Sequence, residues 1–396
     1  LTLCPCMPRV APPPLPEGLP MPATEENRTE IESWLKSRYA ASTFNTCTHQ
    51  LLPMMSGLPL RLMIDKDATP VARHSPIPVA VHWQDEVKAG LDEDVRLGVL
   101  EKVPVGNQVT WCHHMVICAK KNGKPRRTVD FQALNVHASR ETHHTPSPFH
   151  QARGVPENKR KTVFDAWNGY HSVRLHDDDK HLTTFITPWG RYRYCVAPQG
   201  YIASGDGYTH RYDEIVSGIG NYTKCIDDAL LWADSITDSF HQAVQWLDVC
   251  GRNGITLNPE KFIFSNSTVD FAGFTITMDS VLPSPKYSDA ILNFPIPRNI
   301  HDIRSWFGLV NQVSYAFSMA DRMLPFRQLL KPGNTFTWNA SLEEAFQASK
   351  DVITKEIENG VKIFDKTKPT CIATDWLKDG IGFWMFQKHC KCLGTT

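Results

Sequence analysis

The stretch Tyr222–Trp232 constrains the fold most, because it places two adjacent aspartates between two mostly apolar arms. Two such arms around a short polar break are typical of a β-hairpin, so Asp227 and Asp228 are predicted to lie at or near its turn. Aspartate is also an ordinary turn residue, since its side chain bonds nearby backbone groups. The pair is therefore either a functional carboxylate pair or a plain turn, and other residues must decide.

A third carboxylate, Asp165, ends the predicted strand Thr162–Asp165 upstream of the hairpin. If these strands are neighbours in one sheet, the three carboxylates converge and repel each other unless cations neutralise them. Hard oxygen ligands beside phosphates suit Mg²⁺. Two such ions can hold the attacking and leaving oxygens of a phosphoryl transfer. The alternative is that all three aspartates are solvent-exposed turn residues.

A basic turn, Lys120–Lys124, joins the predicted strands Trp111–Ala119 and Arg126–Phe131. Its lysines and the following arginines could hold a triphosphate, with arginine pairing in bidentate fashion. The alternative is a solvated run of charge. A second acidic run, His176–Asp179, is predicted to lie on a solvated loop with no part in the site.

Composition narrows the class of protein without indicating a partner. The chain has 396 residues, 42 basic and 42 acidic, so net charge does not point to a polyanion. The 11 cysteines show no recurring zinc-ribbon spacing and are interpreted as free thiols in a reducing compartment. No apolar run approaches the ~20 residues of a membrane-spanning helix, and no secretory signal opens the chain. Because it begins with Leu1, we expect a piece of a longer polypeptide.

Periodicity and capping residues predict the elements that frame these motifs. Thr24 or a near neighbour should cap a first helix, and His82–Leu97 should form a second. Val269–Ile276 is predicted to be one strand. Asn299 should cap a helix that runs to Phe317, and Ser341–Glu344 should be a capping box that opens a helix ending at Gly360.

Five short motifs follow one another along the chain: Asp165–His171, Pro198–Gly200, Cys225–Asp228, Leu257–Lys261 and Phe271–Phe274. Their order resembles that of the reverse transcriptase motifs, and the upstream segment Val116–Asn135 resembles the fingers signature of the same family. Over roughly residues 76 to 390, the chain resembles the Pol polyprotein of gypsy-type LTR retrotransposons. An ordered set of this length is highly specific.

The resemblance implies an α+β right-hand polymerase fold with fingers, palm and thumb, followed by an incomplete RNase H-like α/β unit. Residues 1–75 would be a proline-rich linker and N-terminal extension, and 76–280 would form the fingers and palm. Residues 281–335 would form a thumb-like helical subdomain. Residues 336–396 would be a connection and the truncated start of an RNase H-like domain.

The resemblance also implies roles for individual residues. Asp165, Asp227 and Asp228 would bind two Mg²⁺ ions, with Mn²⁺ as the alternative metal. Lys261 would protonate the leaving pyrophosphate, although a simple surface lysine is the other interpretation. Tyr170 would disfavour a 2′-OH on the incoming sugar, or be a core aromatic. The other implied contacts are Arg126 and Gln199 to the nucleotide, Lys120 or Lys121 to its phosphates, and Phe271, Gly273 and Phe274 to the primer.

The chain departs from the family pattern at some positions. Cys225 stands where the family usually has tyrosine, Gln132 replaces a common arginine, and residues 203–207 lack the usual Asn-Ala-Pro. All three metal carboxylates remain, so activity is expected to be retained. Asp375 resembles the first metal ligand of an RNase H site, but the chain ends before the other ligands, so RNase H activity is not expected.

The leading hypothesis is an RNA-directed DNA polymerase that adds dNTPs to a primer 3′-OH on an RNA or DNA template. A decayed copy that binds template-primer without catalysis is the main alternative, and a nuclease centred on Asp375 is a third. Other Pol domains of a parent polyprotein are expected partners, and no membrane is. The expected location is intracellular, in the cytoplasm or in virus-like particles.

Overall fold

The computed structural model describes residues 9–120, 122–140, 146–167, 169–314, 320–331, 333–377 and 380–387. The chain forms two compact units. The first unit comprises residues 1–145 and 161–266, and the second comprises residues 146–160 and 267–396. Each unit has its own hydrophobic core.

The helices and strands follow one another as a mixed α and β chain. The helices are α1 (Arg28–Arg38), α2 (Gln84–Arg96), α3 (Gln132–Asn135), α4 (Pro148–Arg153), α5 (Ser204–Val216), α6 (Ile236–Arg252), α7 (Pro285–Leu292), α8 (Ile300–Val313), α9 (Ala320–Leu329) and α10 (Ala340–Asn359). The strands are β1 (Leu100–Lys102), β2 (His113–Ala119), β3 (Pro125–Asp130), β4 (Arg160–Asp165), β5 (Phe185–Thr187), β6 (Gly190–Tyr194), β7 (Tyr222–Cys225), β8 (Asp228–Ala233), β9 (Ile263–Asn266), β10 (Val269–Phe271), β11 (Phe274–Ile276), β12 (Ser280–Pro283), β13 (Val361–Lys362), β14 (Thr370–Leu377) and β15 (Gly380–Gln387).

The first unit contains two sheets. One has the strand order β1-β6-β5-β2-β3, and the other has the order β7-β8-β4-β9. In the second sheet β4 is a central strand, and its residues from Lys161 to Asp165 are all buried. Val163 and Phe164 are the apolar residues by which the sequence pattern located this strand.

Helix α1 is part of the core behind the second sheet. Ile31, Leu35 and Tyr39 are fully buried and share one hydrophobic cluster with Phe164 of β4 and Trp246 of α6. Their spacing of four residues places them on one helical face, which explains why α1 packs as it does. The first part of the chain therefore contributes to the same core as the central strands.

The residues that cap the helices agree with the sequence prediction at some helix starts and differ at others. Helix α1 begins at Arg28 after Asn27, whose N–H lies 3.4 Å from Thr24 Oγ1. Asn299 caps α8 as predicted, by accepting from the Asp302 N–H. The predicted capping box at Ser341 is wrong, because Asn339 Oδ1 accepts from the Leu342 N–H at 2.9 Å and starts α10 two positions earlier.

The predicted single strand Val269–Ile276 is also wrong. The structure has two antiparallel strands, β10 and β11, with Phe271 opposite Phe274. The chain reverses at Ala272 and Gly273, which have φ angles of 50° and 89°. Glycine adopts such left-handed conformations at little cost, and it permits the tight turn here. Apolar residues on both sides of the turn hid it from the periodicity.

The second unit combines a sheet of order β10-β11-β12-β13 with helices around a separate core. Trp306 of α8 and Phe346 of α10 pack edge to face at 4.9 Å in that core. Strands β14 and β15 form an antiparallel hairpin. Among the residues described here, no helix is both long and apolar enough to cross a membrane.

Candidate active site

The predicted hairpin around the adjacent aspartates is present. Strands β7 and β8 pair so that Cys225 lies opposite Asp228, which leaves Ile226 and Asp227 as a two-residue loop. Ile226 has a φ of 56°. That is unusual for a β-branched residue, and such backbone strain persists only where the surroundings hold it.

Asp165 lies at the end of β4, beside β8 in the same sheet. The N–H of Ala166 donates to the carbonyl oxygen of Asp227 at 2.9 Å, which ties the chain after β4 to the hairpin loop. The N–H of Asn258 donates to the Asp165 carbonyl at 2.8 Å. The three aspartates singled out from sequence thus lie at one end of one sheet.

The carboxylates are crowded and only partly neutralised. Asp165 is 8% exposed, and its Oδ2 lies 2.9 Å from Lys261 Nζ, a contact that raises the pKa of Lys261. Burial and then the Asp165 carboxylate raise the pKa of Asp228 to about 7. Burial, followed by the charge of Asp165, also raises the pKa of Asp227. Full ionisation of all three carboxylates therefore requires more positive charge than Lys261 and the nearby Lys224 provide.

The donor set fits a hard divalent cation. Asp227 Oδ1 is buried and, although the Tyr208 hydroxyl lies nearby, it accepts no hydrogen bond of normal geometry within the described residues. No group of three or more His, Cys, Asp or Glu side chains in that part of the chain can hold a metal ion on its own. Mg²⁺ commonly uses one or two carboxylates and completes its octahedron with water and substrate phosphates, so an unpaired, buried carboxylate oxygen suits it.

An open cavity of about 580 Å³ adjoins these carboxylates. It gathers six of the residues singled out from sequence: Arg126, Asp165, Tyr170, Gln199, Asp227 and Lys261. Sequence reasoning missed other lining residues, among them Trp167, Ser204 and Asn258. Trp167 and Asn258 lie inside motifs already recognised, so motif membership was the available signal. Ser204 opens α5, where the sequence departs from the family pattern.

The remaining predicted residues are not among the described residues that line this cavity. Asp228 does not line it, and Lys120 is exposed at the end of the β2–β3 hairpin. Lys121 lies outside the described residues. Phe271, Gly273 and Phe274 form the β10–β11 turn of the second unit. Asp375 lies on β14 of the second unit, paired with Gly382, and its side chain is outside the described part.

The sequence left open whether Tyr170 is a core aromatic residue or a residue of the nucleotide site. In the structure its side chain packs against the hydrophobic core and also lines the cavity. Its ring lies 5.5 Å from that of Tyr208, which is fully buried. A Cβ on Gly169 would lie 2.3 Å from the Tyr208 ring. The glycine before Tyr170 is therefore required by the close approach of Tyr208.

The acidic run after the first motif is not a solvated loop, so that expectation is wrong for Asp179. Asp177–Thr183 form a 3₁₀ helix, and Asp179 is 5% exposed. Asp179 accepts from Arg61 Nε and Nη2 at 2.7 and 3.1 Å and from the Leu62 N–H at 2.8 Å. None of the three aspartates in this run lines the cavity. The run is structural.

Comparison with known proteins agrees with the motif order. Residues 118–276 match the family model for reverse transcriptase (RNA-dependent DNA polymerase). The Tf2-3 and Tf2-4 transposon polyproteins of Schizosaccharomyces pombe are each 22% identical over 355 residues, which is 88% of this chain. The chain spans only 26% of the length of these relatives. The predicted resemblance to retrotransposon reverse transcriptases is confirmed.

Solved structures share the fold at low identity. A foamy viral protease-reverse transcriptase in complex with double-stranded DNA has a TM-score of 0.80 and 16% identity, covering 92% of this chain and 63% of that one. A complex of the foamy viral protein with an RNA/DNA hybrid has a TM-score of 0.79 and 16% identity, with coverage of 92% and 48%. The expected α+β polymerase fold is confirmed. Its motifs, the family match over residues 118–276 and the shared fold agree that this part of the chain is similar to reverse transcriptases.

Proposed function

We propose that this chain is an RNA-directed DNA polymerase that adds dNTPs to the 3′-OH of a primer. The observation that carries the proposal is the convergence of Asp165 and Asp227 with Lys261 and Arg126 around one open cavity. Carboxylates and cations in such an arrangement are the groups that phosphoryl transfer needs, because its catalysis rests on positioning and electrostatic stabilisation.

Asp165, Asp227 and Asp228 are assigned as the residues that hold two Mg²⁺ ions, or Mn²⁺ in their place. When bound, such ions supply positive charge to the attacking and leaving oxygens of the transfer. The buried, unpaired Asp227 Oδ1 and the raised carboxyl pKa values support this assignment. The sheet and the hairpin fix the backbone of these aspartates, so their carboxylates would hold the ions in a fixed position.

Other cavity residues are assigned to the nucleotide. Arg126 and Gln199 are exposed at the cavity and would contact the incoming dNTP, with Lys120 or Lys121 on its phosphates. Lys261 carries its protons beside Asp165 and would pass one to the leaving pyrophosphate. Tyr170 would lie against the sugar and disfavour a 2′-OH, because its ring is held in place by Tyr208.

The proposed macromolecular partner is an RNA or DNA template annealed to a primer. The solved complexes of foamy viral proteins with double-stranded DNA and with RNA/DNA hybrid support this choice. Phe271, Gly273 and Phe274 would contact the primer. The helices of residues 281–335 would grip the duplex through its backbone, which carries no sequence information.

The domain roles follow the same proposal. Residues 76–280 would act as fingers and palm, 1–75 as an N-terminal extension, and 336–396 as a connection with the start of an RNase H-like domain. Asp375 would be the first metal ligand of that RNase H-like domain. Because the relatives are polyproteins, other Pol domains are proposed partners, in the cytoplasm or in virus-like particles.

Primer extension on poly(rA)/oligo(dT) with dTTP and Mg²⁺ tests the proposal. Asp227→Asn should lower incorporation by at least about 10²–10³-fold, the effect of removing one strong electrostatic contact from a transition state. Asp178→Asn is the matched control, because Asp178 is an aspartate of the other acidic run whose side chain is 74% exposed. It should extend primers like the parent chain.

Two results would contradict the polymerase assignment. Equal incorporation by the parent and Asp227→Asn would remove the proposed role of Asp227. A parent chain that binds the template-primer but adds no nucleotide would favour the decayed copy. Cys225, which lies opposite Asp228, would then be the first departure from the family pattern to reverse, by Cys225→Tyr.

A further inference from the structure

Lys224 is a lysine buried in the strand that leads into the aspartate loop. It lies on β7, and its side chain is 2% exposed. A buried ammonium is costly unless it is paired and hydrogen-bonded, so its partners indicate why it is there. Burial lowers the pKa of Lys224, while the neighbouring Asp213 acts in the opposite direction.

Three groups surround the ammonium of Lys224. Asp213 of α5 places its Oδ1 3.0 Å from Lys224 Nζ. The ring of Tyr212, also on α5, has its centroid 4.7 Å from the same nitrogen. The third partner is the carbonyl oxygen of Ile226, which accepts a hydrogen bond from Nζ at 3.1 Å.

The contact with Ile226 acts on the loop that carries Asp227. The Ile226 carbonyl and the Asp227 N–H belong to one planar peptide unit. Fixing that carbonyl therefore fixes the plane from which the Asp227 side chain departs. Ile226 also holds a φ of 56°, so this loop needs an external contact to keep its conformation.

We propose that Lys224 is a positioning residue, and that the Lys224–Asp213 pair braces the Ile226-Asp227 loop from α5. The effect on rate rests on the proposed polymerase function, whereas the effect on the loop does not. Helix α5 begins with Ser204 and Gly205, which line the cavity. The same helix thus forms part of the cavity wall and holds the catalytic loop.

The test compares Lys224→Met, which keeps most of the apolar stem of the side chain but removes its donor, with Lys224→Gln, which keeps a donor. Lys180→Met is the matched control, because Lys180 is also an ion-paired lysine, with Nζ 2.8 Å from Asp177 Oδ1, outside the aspartate loop. Hydrogen exchange of the amides of residues 225–228 reports on the loop. Single-nucleotide incorporation reports on the rate, and the Kd for template-primer reports on the rest of the fold.

Lys224→Met should speed exchange at the loop amides and lower kcat by roughly 10–100-fold, the range for loss of one hydrogen bond to a charged group. The KM for dNTP and the Kd for template-primer should change much less, because nothing that touches either ligand is removed. Lys224→Gln should have a higher kcat than Lys224→Met. Lys180→Met should match the parent in both loop exchange and kcat.

Two results would overturn the inference. Loop exchange in Lys224→Met that equals that of the parent shows that Lys224 does not brace the loop. An equal loss of kcat in Lys224→Met and Lys180→Met shows only a general loss of stability. If the parent itself extends no primer, the polymerase proposal fails, and the exchange measurement still decides whether Lys224 holds the loop.

Discussion

The chain carries two clusters of aspartates, which differ in how far nearby cations neutralise their carboxylates. In the structural run, Arg61 holds Asp179 through two hydrogen bonds, and Lys180 pairs with Asp177. The Lys180 ammonium lowers the pKa of Asp177. In this run the protein supplies the cations that its own carboxylates need.

In the other cluster the protein supplies too few cations. Lys261 pairs with Asp165, whereas burial and crowding raise the pKa of both Asp227 and Asp228. The number of acidic residues in a row therefore does not distinguish a site from a structural feature. What distinguishes them is whether the fold neutralises the carboxylates or leaves that to a ligand.

The largest stability effect expected from this comparison is at Asp179. Asp179→Asn removes a charged partner from Arg61 and should lower the free energy of unfolding by about 1–3 kcal/mol. The lower half of that range is expected because the Arg61 side chain is 56% exposed and well screened. Activity per folded molecule should be unchanged. Urea unfolding and primer extension on the same samples measure both.

Asp227→Asn should behave in the opposite way, with lost activity and an equal or higher free energy of unfolding, because it relieves repulsion at a functional site. If both substitutions lowered stability alike, the distinction between the two clusters would disappear.

A smaller effect is expected from the metal itself. On the proposed assignment Mg²⁺ binds the folded state alone, so at ten times its Kd it should raise the free energy of unfolding of the parent by about 1.4 kcal/mol. Thermal unfolding with and without Mg²⁺ measures this stabilisation as a shift in Tm. Asp227→Asn should lose most of the shift, and Asp179→Asn should keep it. A shift of the same size in Asp227→Asn would mean that the stabilising ion binds elsewhere.

The smallest effect concerns acid. Because Lys180 lowers the pKa of Asp177, the folded state binds this proton less readily than the unfolded chain, whose ordinary pKa is 3.8. The contribution to stability is therefore present above that value and is lost as the pH falls through the lowered pKa. Asp177→Asn should flatten the loss of stability between about pH 5 and about pH 3. Lys180→Met should show the same flattening, and a steeper loss in either variant would contradict the pairing.

The main parts of the candidate site could be located from the sequence because their signals are local. The apolar arms around Asp227 and the apolar strand that ends at Asp165 are visible as patterns, and the structure places both strands in one sheet. The partners of Asp179 and Lys224 were not predictable in this way. Arg61 is 118 residues from Asp179, and no periodicity connects them.

Local signals also failed where two were in competition. The apolar pattern of Val269–Ile276 outweighed the turn preference of Gly273, although the turn is what the structure contains. At α10, Ser341 and Asn339 are both good capping residues, and the backbone decided between them. The residues of a segment therefore predicted that a helix or strand is present better than they predicted where it begins and ends.

Helix α1 bears on how this protein can be divided. The match to the reverse transcriptase family starts at residue 118, yet Ile31, Leu35 and Tyr39 fill the same core as the central strand β4. Losing one large core side chain commonly costs about 2–5 kcal/mol, and a whole domain is stable by only about 5–15 kcal/mol. A protease that cuts between α1 and β1 would therefore leave two fragments that must stay associated to remain folded. The borders of sequence similarity and the borders of independent folding lie at different places in this chain.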